Sequence, residues 1–344
     1  MKSFTDEPNK AILGYNAVRD AAKDWEQYSS NLQGDRDVRD YPQLPLEVDP
    51  PAHTSYRHAI QSLFLRPKLE ELKPKFEDLA KDLLEKLGGR GEVDAYTEIS
   101  LPYVVGCLTL IYNRPQDFDE WISWGPDVWT AESPTRSGKT LHGYLARVFE
   151  EEPKDDVWGF IRSTRPLGEP LTEAEFRGYA SVLLAGGRDT VIKLISGLVW
   201  HLLNKPEDLA ALKEDPSLER SIINELLRFL TPLPAIERVK TDETSEAEPV
   251  YHRLHFASAN YDESIWEAPD QVNIYRGKQP HLAFGYGPHA CIGMNLAEYE
   301  ARAFITSFLT VVDKLKLSNF ELIWDEISGT KFLADLRNVR VLSW

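Results

Sequence analysis

Cys291 stands in the stretch His281-Leu282-Ala283-Phe284-Gly285-Tyr286-Gly287-Pro288-His289-Ala290-Cys291-Ile292-Gly293. Its glycines and proline force a tight turn, with a positive φ expected at a glycine. Directly afterwards Met294, Ala297, Ala301, Phe304, Ile305 and Phe308 recur at three- and four-residue spacing, one apolar face of a helix. The cysteine therefore sits just ahead of a helix N-terminus, where amide donors and the dipole favour thiolate over thiol. A shielded thiolate in a rigid loop is a good ligand for a soft metal. A buried structural cysteine beside a helix start fits the same chemistry equally well.

A second constellation is Ala185-Gly186-Gly187-Arg188-Asp189-Thr190. It lies inside a segment that opens on the capping box Thr172-Glu173-Ala174-Glu175 and reads as one helix to about Leu203. Glycine in a helix interior costs about 1 kcal/mol against alanine, so two together mark a distortion or a close approach. A charge and a hydroxyl at that weak point suit proton delivery, and Thr190 can hold a bend open by bonding back to its own helix. A bent core helix with its polar residues facing out explains the string as well. A third constellation is Asp49-Pro50-Pro51-Ala52-His53-Thr54-Ser55-Tyr56-Arg57, where His53 and Arg57 share a helical face. They suit a carboxylate or phosphate partner, or only a solvated surface.

The elements that must position these groups are mostly helical. Besides those named, periodic runs predict helices over Ala17–Trp25, Leu69–Leu87 (ended by Gly88-Gly89), Glu92–Leu110, Leu141–Phe149, Asp156–Thr164 and Glu219–Leu230. Lys331–Trp344 reads as a terminal hairpin. Gln116–Trp129, rich in aromatics, reads first as core. So does Cys107, in an apolar helical run. The fold class expected is mainly α with a reduced β part, in a single domain spanning residues 1–344.

Composition removes other classes. The chain has 344 residues and a formal net charge of -16, which argues against a nucleic-acid partner. Two cysteines cannot form a disulfide framework, so a reduced, cytoplasmic setting is expected. Residues 1–10 are polar and mixed in charge, without a signal-peptide core, and no run is long and apolar enough for a membrane span.

The string Phe284-Gly285-x-Gly287-x-His289-x-Cys291-x-Gly293 resembles the haem-thiolate loop of the cytochrome P-450 family. Gly186-Gly187-x-Asp189-Thr190 is similar to the family's oxygen-activation motif. His53-x-x-x-Arg57 resembles its propionate clamp, and Glu225-x-x-Arg228 its core brace. The resemblance runs from about Gly14 to the end. It implies a P-450-like helical fold around a buried haem b (iron protoporphyrin IX), with Cys291 as the axial iron ligand. His53, Arg57, Arg238 and His289 would hold the haem propionates, with Gly186, Phe284 and Gly293 also at the cofactor. Thr190 would act in oxygen activation and Asp189 would feed protons.

The activity implied is a monooxygenase of soluble bacterial type. It oxidises a hydrophobic small molecule with O2 and two electrons from a ferredoxin or flavodoxin and its reductase. A peroxide-driven, coupling or isomerising haem-thiolate enzyme, or a non-catalytic haem protein, stays open. Arg57, Arg66, Lys68, Lys73 and Lys75 form a candidate docking patch for the electron donor. In the family the Gln116–Trp129 region lies over the substrate pocket, and the C-terminal hairpin puts a turn into it.

Three departures stand out. The brace's usual third arginine falls at Gln271, leaving the network incomplete. Arg188 is a cation where the family often has a small or apolar residue, and pointing into the pocket it would pair with Asp189 or an anionic substrate. A sheet-forming N-terminal segment is not evident, and the glycine-free stretch between Arg238 and Ala257 is too brief for the usual strand pair. The expectation is a β part of short ladders plus the terminal hairpin. One flank of the pocket would then be open, or covered by a second subunit of a homo-oligomer.

Overall fold

Apolar stripes at helical spacing dominate the chain, and in a computed structural model they become a helical body with two small sheets. The structure is described for residues 10–31, 41–125, 138–244, 249–276 and 279–344. The chain enters as β1 (Ala11–Ile12), α1 (Tyr15–Lys23) and β2 (Tyr28–Ser29). The first large packed pair joins α3 (Arg66–Glu85) to α13 (Met294–Phe308), whose Leu69, Phe76, Ala80, Phe304 and Phe308 are fully buried. Each such large side chain contributes about 1.5–3 kcal/mol by leaving water. Around them lie α2 (Ala52–Ile60), α4 (Leu101–Tyr112), α5 (Phe118–Ser123), α6 (Gly138–Glu150) and α7 (Val157–Ser163).

The segment from Thr172 is helical but not continuous. Thr172 Oγ1 accepts from the Glu175 amide at 3.2 Å, and Glu175 Oε2 accepts from the Thr172 amide at 2.8 Å, closing the expected capping box. Tyr56 donates to the other Glu175 oxygen at 2.6 Å and so ties α2 to this cap. Then α8 (Glu173–Ser181) widens into a π-turn over Val182–Gly186 and breaks at Gly187-Arg188. It resumes as α9 (Asp189–Asn204). The break falls on the paired glycines, and the π-turn frees the Leu183 carbonyl, which accepts from Tyr112 at 2.9 Å. Next come α10 (Pro206–Glu214) and α11 (Glu219–Leu230).

The β part corrects the sequence reading. β4 (Ile236–Lys240) and β5 (Tyr251–Leu254) do pair, antiparallel, and β1 adds to β5 in parallel. With β2 they form the four-stranded sheet β1-β5-β4-β2, built from strands of two to five residues. The ladders are short, as expected, but the strand pair and the N-terminal strand exist. No glycine is needed: the Lys240 amide bonds the Val250 carbonyl at 2.8 Å, and Thr244 Oγ1 accepts from the Val250 amide at 2.9 Å. Residues 245–248 lie outside the described set.

The terminal hairpin is longer than expected. It joins β6 (Lys316–Ile327) to β7 (Thr330–Leu342), and β3 (Glu92–Asp94) adds to β7. Glu92–Asp94 was read as helix; α4 begins only at Leu101, after a π-turn. No residue of the hairpin lines the central cavity, so its turn does not enter it. Cys107 is core, as read. So are Trp121 and Trp124, which pack on Tyr144 rather than lining the cavity; Trp129 lies outside the described residues.

Candidate active site

A largely apolar cavity, part of it open to solvent, lies between the cysteine loop, α2, the α8–α9 break and the first sheet. β4 and β5 supply Ile236, Arg238 and Leu254 to its wall, so the flank expected to stand open is walled by the chain itself.

The loop is held from both ends. The Cys291 amide bonds the Phe284 carbonyl at 2.8 Å, and the Leu282 amide bonds Asn260 Oδ1 at 2.7 Å. Gly287 has φ +73°, and a Cβ there would lie 2.4 Å from the Ala22 carbonyl at the end of α1. Only glycine permits that backbone and that approach. The Cys291 thiol faces the cavity. Burial pushes its pKa up, while the Gly293 amide and the Arg57 guanidinium pull it down. Among the described residues no group of three His, Cys, Asp or Glu could hold a metal ion. A lone soft donor suits a metal that brings its other ligands with it.

Thr190 lines the same cavity and its hydroxyl donates to the Gly186 carbonyl at 3.2 Å. Asp189 does not line the cavity; its Oδ1 is 3.9 Å from Arg188 Nε. Arg188 is buried and turned away from the cavity, so it offers no charge to a ligand there.

At one side four basic groups converge. His53, Arg57, Arg238 and His289 all line the cavity, the two imidazoles with ring centres 4.3 Å apart. His53 Nε2 is buried and has no hydrogen-bond partner. Burial first, then Arg57, lowers His53 to about 4; burial and then Arg238 lower His289 to about 2; burial lowers Arg238 to about 10. With both imidazoles held neutral, the remaining charge is that of Arg57 and Arg238, eased for Arg238 by Asp49 and Glu47, and a further anion at their side is favoured. The donor set therefore fits a ligand carrying carboxylates, as the propionates of a haem do. Ser30, which shares a 3.1 Å hydrogen bond with His289 Nε2, had no sequence signal, since it sits in an aperiodic polar stretch. Gly186, Phe284 and Gly293 also reach the cavity.

Three of the five basic residues suggested as a docking patch have contacts within the chain. Arg57 points into the cavity, Lys73 pairs with Glu77 at 2.6 Å, and Arg66 bonds Asn295 at 3.4 Å. The brace behind the loop is complete after all. Glu225 holds Arg228 through two bonds of 2.8 and 2.9 Å, and its third partner is Arg276, five residues past Gln271.

The family model "Cytochrome P450" matches residues 160–313. "Cytochrome P450 107B1" of Saccharopolyspora erythraea is 30% identical over 286 residues, covering 79% of this chain and 71% of that protein. The chain belongs to the cytochrome P450 family. "Vitamin D(3) 25-hydroxylase" of Pseudonocardia autotrophica is 30% identical over 324 residues, 88% of this chain and 80% of the relative. Among solved structures, "The structure of a carbohydrate active P450" superimposes with a TM-score of 0.87 at 26% identity. It covers 96% of this chain and 91% of that one. The fold is the P450 fold around a haem-thiolate cofactor. The protein is a monooxygenase that oxidises a hydrophobic small molecule with O2 and two electrons from a redox partner. No helix among the described residues is long and apolar enough to cross a membrane.

Proposed function

We propose that the whole chain is one catalytic unit in which Cys291 ligates the iron of haem b, and that Thr190 and Asp189 serve oxygen activation on the far side. The observation that carries this is a single cavity with the Cys291 thiol and the Thr190 hydroxyl on its walls and a buried basic cluster at its edge. His53, Arg57, Arg238 and His289 would take the propionates, with Gly186, Phe284 and Gly293 against the macrocycle. The haem, when bound, supplies the iron at which O2 is activated.

The chain's own groups do the rest. The loop fixes Cys291 through the Phe284 carbonyl. Thr190 holds a proton at Oγ1, shared with the Gly186 carbonyl that the helix break leaves available. Asp189, one residue earlier and outside the cavity, feeds protons to that hydroxyl. Val182, Leu183, Leu194, Leu233 and Phe256 give the cavity apolar walls that exclude water and select a ligand with a large apolar face. The electron donor is a ferredoxin or flavodoxin with its reductase, in the cytoplasm. The neighbour titled as carbohydrate active supports a second reading, in which the substrate is a sugar derivative presenting its apolar substituents to these walls.

Two measurements test this. The reduced carbon-monoxide complex should show the red-shifted Soret band of thiolate ligation, and Cys291→Ser should lose it. A variant that kept the band would remove Cys291 as ligand. A panel of apolar compounds and sugar derivatives, scored by the ligand-induced Soret shift, separates the two substrate readings.

A further inference from the structure

Arg188 is one of the largest fully buried side chains, and only 2% of it is exposed. It stands in the break between α8 and α9, two residues before Thr190. Its Nη1 donates to the Trp121 carbonyl at 2.6 Å and its Nη2 to the Gly125 carbonyl. The guanidinium lies 6.0 Å from the Trp124 ring centre. Both acceptors belong to the end of α5 and the turn after it, where carbonyls have no helical partner and a positive charge is favoured. Gly125 holds φ +77°, which aims its carbonyl at this cation and which a side chain would resist. Among the described residues, the ion pair of Arg188 is with Asp189, whose Oδ1 lies 3.9 Å from Nε. So the charge is answered mainly by main-chain groups of another element.

We infer that Arg188 is a positioning residue that pins the broken start of α9 to the end of α5, and thereby sets where the Thr190 hydroxyl stands. Two charge-assisted hydrogen bonds from one planar group fix both distance and orientation across the gap. A helix broken at two glycines has little stiffness of its own at that point. The latch replaces it. The inference rests on the reading of Thr190 given above, but its first test does not.

Hydrogen exchange of the amides of residues 186–192, in haem-free and haem-loaded protein, reads the latch directly. Arg188→Met keeps most of the volume without donors, and should raise that exchange about tenfold while α11 stays unchanged. Arg188→Lys, which keeps the charge but not the fork, should restore part of the protection. Gly125→Ala should raise the same exchange from the other end of the latch, and decides the matter where Arg188→Met folds poorly. In the loaded enzyme, product formed per NAD(P)H consumed should fall in Arg188→Met and recover partly in Arg188→Lys. That ratio is independent of how much enzyme is active, so a loss of folded protein alone would not move it. Wild-type exchange over 186–192 in both Arg188→Met and Gly125→Ala overturns the latch. Raised exchange with an unchanged ratio, where Thr190→Ala does lower the ratio, overturns its link to Thr190. An unchanged ratio in Thr190→Ala instead removes the role of Thr190, and exchange alone then decides the latch.

Discussion

Arg276 Nε lies 3.1 Å from both carboxylate oxygens of Glu225, and Arg228 reaches the same two oxygens from the other side. Arg276 also donates to the carbonyls of Glu267, Ala268 and Gln271. The meander before the cysteine loop is thus gathered onto α11 by one side chain. Arg276→Ala should cost about 2–3 kcal/mol, since several charge-assisted bonds go and Glu225 keeps Arg228 and the Asn273 amide. Arg228→Ala should cost about 3–5 kcal/mol because it breaks a fully buried pair. Gln271→Ala should stay within about 0.5 kcal/mol, because only its main-chain carbonyl accepts. Denaturant unfolding of the three variants checks the order.

Haem retention should depend on the basic cluster. Arg238 is buried, and among the described residues its one hydrogen-bond acceptor is the Glu237 carbonyl, at 2.7 Å. Arg238→Ala removes a charge-assisted contact of about 1.5–3 kcal/mol, so haem should leave roughly tenfold to a hundredfold faster. Transfer to a competing haem-binding protein, followed by absorbance, measures it. An unchanged rate would show that the propionates lie elsewhere.

Removing the Thr190 hydroxyl should leave haem incorporation intact, because among the described residues its hydrogen-bond acceptor is the Gly186 carbonyl, one turn back across the helix break. More reducing equivalents should then end as peroxide or water. Product formed per NAD(P)H consumed in Thr190→Ala is the measurement, and a ratio equal to wild type would favour a non-hydroxylating chemistry.

Acid should destabilise the protein through His255. Its Nδ1 accepts from the Ser258 amide at 3.0 Å and caps α12 (Phe256–Asn260), and its ring packs 4.9 Å from that of Phe332. Burial, and secondarily Arg253, lower its pKa to about 4. Between pH 6.5 and 4 the unfolded chain takes up a proton that the folded one refuses, so stability falls with pH through that window. The slope is up to about 1.4 kcal/mol per pH unit. His255→Asn keeps a capping acceptor and should remove this share of the acid loss. Urea midpoints at pH 7.5 and pH 5 compare the two proteins.

The site was legible where chemistry and backbone make the same demand. Glycines flanking Cys291, glycines beside Thr190 and the i, i+4 pair His53/Arg57 all carry a local pattern, and all reach one cavity. Arg276 was missed because the brace depends on where a meander places a side chain, not on a fixed offset from Gln271. β6 was missed for a different reason. Leu317, Phe320, Leu322 and Trp324 alternate only in part, since register shifts at Leu317/Asn319, Asn319/Glu321 and Ile323/Trp324 break the period of two. Arg188 has no sequence signal for its direction, because the partners it finds are main-chain carbonyls.

The contact of Gly287 with the Ala22 carbonyl joins the two ends of the chain. Tyr15 adds a bond of 2.6 Å to the Pro280 carbonyl, across 265 residues. β1 waits in the same way for β5. On a ribosome adding about 5–20 residues per second, the first segment emerges roughly 13–53 s before its partners exist. Until then α1 has no surface to fold on, and contacts this distant in sequence are slow to close. The wall carrying the cysteine should therefore be assembled last, after the helices between have packed. Truncation near residue 280 should leave a nascent chain with a protected α3–α4 region and an N-terminal segment open to protease.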